Sequence, residues 1–71
     1  MTLRDSAARI HSVDAAIASP RAAMLTNAQY VEVMRLRKDF ERACEADDAG
    51  EADRLRELIL SIIREGPPSF G

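Results

Sequence analysis

The sequence holds a single cysteine, Cys44, and no tryptophan. One thiol excludes an intramolecular disulfide and a thiolate metal cluster. Aromatics make up 4% of the chain, as Tyr30, Phe40 and Phe70, so any core must be aliphatic. Valine, isoleucine and threonine are too sparse and too irregularly spaced for alternating strands. The three glycines are scattered, which leaves no glycine-rich phosphate loop. No apolar run approaches the length of a bilayer span, and the N-terminal stretch MTLRDSAARIHS lacks the apolar segment of a signal peptide. The expectation is a cytoplasmic protein without a membrane partner.

Charge of one sign is lacking too. The formal net charge is −2, distributed as +1 over residues 1–25, −2 over 26–48 and −1 over 49–71. No segment carries the positive excess that binding a polyanion needs, so no direct nucleic-acid contact is expected. Nine of the ten basic residues are arginine, Lys38 being the exception.

What is present is helical periodicity in a chain of 71 residues, enough for one small domain with a modest core. The spacing predicts an all-α fold: an antiparallel helical hairpin over about 27–46 and 51–65, with a weaker N-terminal helix over about 3–18. Residues 1–66 form the domain, of which 1–25 are helix and linker and 26–66 the hairpin core; 67–71 are a tail. The first helix carries a thin stripe of Leu3, Ala7, Ile10, Val13 and Ile17, with Thr2 as its cap and Asp5 in its first turn. Ser19-Pro20 stops it and opens a short turn with Ser19 as cap.

In the second helix Thr26 and Gln29 have capping-box spacing, with Asn27 as the competing cap. Val33, Leu36, Phe40, Ala43 and Cys44 fall on one face. The opposite face is charged, with Arg35–Asp39 and Arg37–Glu41 as expected pairs, each worth about 0.2–0.5 kcal/mol. The acidic connection DDAGEAD places Gly50 as the residue that supplies a positive φ. Gly66 and Pro67-Pro68 end the third helix. Across the turn, Phe40 is expected to face Leu58, Leu36 to face Ile62, and Ala43 or Cys44 to lie near Leu55.

The third helix has more apolar residues than a hairpin contact uses: at 100° per residue they span an arc of roughly 200°. Leu60 and Ile63 are left over at its end, and Tyr30, Val31 and Met34 at the start of the second helix. Antiparallel packing brings these five to one end of the hairpin, with Phe70 near them. Such a patch is covered by the first helix, by a second copy or by another protein. As a protein-binding surface it has Tyr30, Val31, Met34, Leu60 and Ile63 as its apolar part and Arg37 and Glu41 as a charged rim.

Catalytic chemistry has little to draw on. His11 stands beside the first stripe without a partner, Cys44 sits in a core stripe, and the cluster Asp47, Asp48, Glu51 and Asp53 lacks the order of an EF-hand loop. The expectation is a non-enzymatic chain with no cofactor and no metal. As a helix-turn-helix reader it would present Glu51 and Asp53 to phosphates, which disfavours that use.

The pattern LTNAQYVEVMRLRKDFERA followed by EADRLRELILSIIREG, together with the small size and helical organisation, resembles the quorum-sensing antiactivators of rhizobial mobile elements, of the QseM and TraM kind. The resemblance covers residues 26–66 and transfers no individual functional residue. It implies binding to a LuxR-type transcriptional activator and inhibition or sequestration of it. A self-associating structural bundle and a small DNA-binding regulator are the other readings.

Overall fold

The computed structural model describes residues 3–68, with side chains from residue 7 onward. The expected Thr2 cap, the side chains of Leu3 and Asp5, and Phe70 lie outside them. Four helices follow one another: α1 (Leu3–Ile17), α2 (Pro20–Ala23), α3 (Asn27–Glu45) and α4 (Ala49–Glu65). No strand occurs among the described residues. The fold is all-α, as the periodicity predicts.

Local chemistry explains each boundary. Ser19 accepts the backbone N–H of Ala22 and Pro20 occupies the first helical position, so the interruption after α1 becomes a single-turn helix. Thr26 and Gln29 close a reciprocal capping box at the start of α3. The α3–α4 turn needs only Ala46, Asp47 and Asp48. Asp47 adopts φ 58°, and its N–H reaches the Cys44 carbonyl while that of Asp48 reaches the Ala43 carbonyl at 2.9 Å. That pair of bonds is a Schellman ending. The Asp48 side chain then accepts the Glu51 N–H at 3.1 Å and caps α4. The left-handed residue is therefore Asp47 and not Gly50, which lies inside α4. Aspartate is among the few side chains that tolerate this region.

Helices α3 and α4 form the antiparallel hairpin, and α1 docks along it. Arg9 pairs with Asp53 near the start of α4 at 2.8 Å, and Arg21 reaches the Arg64 carbonyl near its end at 2.7 Å. So α1 runs parallel to α4 and antiparallel to α3, an up-down-up arrangement. The buried cluster draws on every helix: Val13 from α1, Ala22 from α2, Val33, Phe40, Ala43 and Cys44 from α3, and Ala52, Leu55, Ile59 and Ile63 from α4. Leu36 and Ile62, the expected facing pair, each pack against it. Leu58, expected to face Phe40, is 41% exposed, while Phe40 is fully buried.

The open end of the hairpin is tied by one amide. Gln29 Oε1 accepts the Thr26 N–H at 3.0 Å, and its Nε2 donates to the Gly66 carbonyl at 2.8 Å. Gly66 has φ 72° and ψ −165°, a region open essentially to glycine alone. Gln29→Glu preserves the capping acceptor but removes the donor and sets a carboxylate against a carbonyl. Glutamate is otherwise welcome at this position of a capping box. We expect Gln29→Glu to cost about 1–2 kcal/mol in urea unfolding. An unchanged or higher midpoint would mean that the link to Gly66 contributes nothing.

Candidate protein-binding surface

The five apolar residues expected at the open end do not form one exposed patch, because α1 takes the central place. Tyr30 precedes Arg37 by seven residues on α3, and Arg37 Nε holds Asp14 of α1 at 2.8 Å. Leu60 follows Asp53 by seven on α4, and Asp53 holds Arg9 of α1. Seven residues are close to two helical turns, so Tyr30 and Leu60 continue the two helix flanks that carry these ion pairs, one on each side. The closure leaves Ile63 only 5% exposed, a core residue and not a surface anchor. Leu60 is half-buried.

The α3 side of the patch stays open. Val31 is 67% exposed, Tyr30 41% and Met34 39%. Tyr30 and Met34 are one turn apart, and Val31 neighbours Met34 at i,i+3. The capping box below them fixes the first turn, so these side chains stand on a rigid base. Met24, also exposed, belongs to the link between α2 and α3. Exposed Leu58 lies on the other flank of α4.

The expected charged rim does something else as well. Arg37 pairs with Glu41 at 3.2 Å, as the spacing predicts, but its closer contact is the two-pronged one to Asp14. The hydrogen bond from Arg37 to Asp14 raises its already high pKa, with further help from Glu41. Arg37 thus fastens α1. Arg35 pairs with Glu32, three residues back, at 2.7 Å, and not with Asp39.

On the opposite flank an open cleft is lined by Ala8, Arg9, Asp53 and Arg56. Arg9 binds Asp53 through two nitrogens and holds its carboxyl below the usual carboxylate range. Because this pKa is depressed on folding, the pair contributes above the ordinary carboxylate pKa, and its contribution is lost as pH falls through the folded value. Cys44 is buried, and desolvation pushes its thiol up, away from the reactive thiolate. His11 is exposed. Among the described residues no three His, Cys, Asp or Glu side chains are grouped to hold a metal ion, and no helix is long and apolar enough to cross a membrane.

Comparison with protein-family models, curated proteins and solved structures finds no match to this chain.

Proposed function

We propose that the chain is a non-enzymatic interaction module that binds another protein through the outer face of α3 and inhibits or sequesters it. The supporting observation is that Tyr30, Val31 and Met34 remain exposed together after α1 has closed the core. Neighbouring apolar side chains left open on a rigid helix are a usual basis for docking, and tyrosine and methionine are enriched at such interfaces. The resemblance of residues 26–66 to quorum-sensing antiactivators makes a LuxR-type activator the proposed target.

The test is capture of a LuxR-type activator from lysate by the wild-type chain, by Val31→Glu and by Met34→Glu, beside transcription from an activator-dependent promoter. Both substitutions lie on exposed helix surface, where stability changes stay near 0.5 kcal/mol. We expect capture and repression by the wild type and loss of both in the variants. Equal behaviour of the three chains, or no capture by any, overturns the proposal. A mass that rises with concentration in the wild type alone would assign the face to a second copy instead.

A further inference from the structure

Helix α1 is held differently from the other two long helices. Among its described side chains only Val13 is fully buried, with Ile10, Ala16 and Ile17 packed partly against the cluster. Helices α3 and α4 each place four side chains in that cluster. Two ion pairs hold the flanks of α1: Arg9 to Asp53 of α4 and Asp14 to Arg37 of α3, each at 2.8 Å. The Asp53 and Asp14 side chains are 50% and 48% exposed, so each pair adds little and is screened by salt. Asp14 also lies in the last turn of α1, which has no basic residue. An acid there opposes the helix dipole, and the docked Arg37 offsets it. A free helix of 15 residues is marginal in water even without that acid. Undocking of α1 and loss of its helix are therefore coupled.

The hairpin beneath is fastened by other means. The capping box fixes the start of α3, and Asp48 caps α4. The three-residue turn joins the two helices at one end, and Gln29 ties them to Gly66 at the other. None of these contacts uses α1. We infer that α1 is a releasable strap: it leaves the hairpin as one unit, unwinding as it goes, and uncovers the side of the core that Val13 fills. Cys44 lies beside that strap. Its thiol is buried, and the Arg9–Asp53 pair stands close enough for both charges to act on it. Opening brings to water a thiol that the closed form conceals. Segments with few buried apolar contacts open in this way, as cooperative units below the free energy of global unfolding. The inference is independent of any partner on the outer face of α3.

The test is native-state hydrogen exchange of the whole chain, beside the rate at which a thiol reagent labels Cys44. Amides of α1 are expected to exchange together, with about tenfold or more less protection than the best-protected amides of α3 and α4, and with little dependence on dilute urea. Two mild variants separate a strap from global unfolding. Arg37→Gln removes the contact to Asp14, made only in the closed form, and lies about two turns from Cys44. It should raise exchange in all three long helices, and labelling of Cys44, by a common factor of about three. Ile62→Val weakens the hairpin itself, since Ile62 lies about 60° from Ile59 on the side away from Asp53. It should speed exchange of the α3 and α4 core amides about threefold and leave α1 and Cys44 unchanged. If Ile62→Val speeds α1 and Cys44 as much as the core, the chain opens only globally and the inference fails. It fails too if Arg37→Gln leaves the labelling of Cys44 unchanged, because the thiol is then reached by fraying of the α3–α4 turn.

Discussion

Phe40→Ala is expected to remove a large share of the stability of this protein. Phe40 is 1% exposed and is among the largest fully buried side chains, at the level where α3, α4 and α1 converge. Truncating a buried phenylalanine costs about 3–5 kcal/mol through lost transfer energy and the cavity left behind. A domain of 71 residues has roughly 4–10 kcal/mol in total, at about 0.05–0.15 kcal/mol per residue. The variant should therefore show a urea midpoint lowered by about a third or more, with unfolding at moderate temperature if the parent lies at the low end of that range. Phe40→Leu retains much of the volume and should keep a cooperative transition. A loss below about 1 kcal/mol for Phe40→Ala would mean that the core does not centre on this ring.

The second large effect concerns the docking of α1. Val13 has no exposed surface and, among the described side chains of α1, is the one that is fully buried in the cluster. Val13→Asp places an unpaired carboxylate there, for which we expect a loss of about 3–4 kcal/mol at neutral pH. Ala15→Asp is the control. It introduces the same residue into the same helix at an exposed position, where the propensity penalty is about 0.7 kcal/mol or less. Burial raises the pKa of the new carboxyl, so the deficit of Val13→Asp should shrink as pH falls below that raised value, when the neutral acid is the buried form. Thermal melts of the two variants at neutral and acidic pH measure both effects. Equal losses in the two variants would show that α1 is not packed.

Much of this organisation can be traced in the residues themselves, and the divisions are physical. The capping box at Thr26 and Gln29 and the cap at Ser19 are legible because each is made by residues three apart. Helix ends at Pro20 and Gly66 follow from backbone chemistry for the same reason. The positive φ is less legible: glycine is the usual choice, and Gly50 stands close by, yet the hydrogen bonds of the turn put Asp47 there. Periodicity defines the width of the apolar arc on α4 but not which edge of it is covered. That depends on where α1 lies, and its ion pairs to Asp53 and Arg37 join residues 44 and 23 positions apart. So Ile63 and Leu58 exchange roles relative to the expectation, one becoming core and the other surface. On the candidate surface, Tyr30, Val31 and Met34 are exposed, while Arg37 is recruited to hold α1. Arg9 was not singled out by pattern, since no neighbour in sequence announces its partner Asp53.

The three-residue turn between α3 and α4 also bears on how quickly the chain folds. Ala43 and Ala52, both buried, flank that turn closely in sequence, so the first contacts of the hairpin close very short loops. Each doubling of loop length costs only about 0.6 kcal/mol more, so contacts can zip outward from this turn at little entropic cost per step. Helical bundles whose contacts are local in this way reach their native state in microseconds to milliseconds. The α1 contacts close the longest loops, Arg9 to Asp53 among them. The hairpin is thus placed to form first, with α1 joining a surface already made.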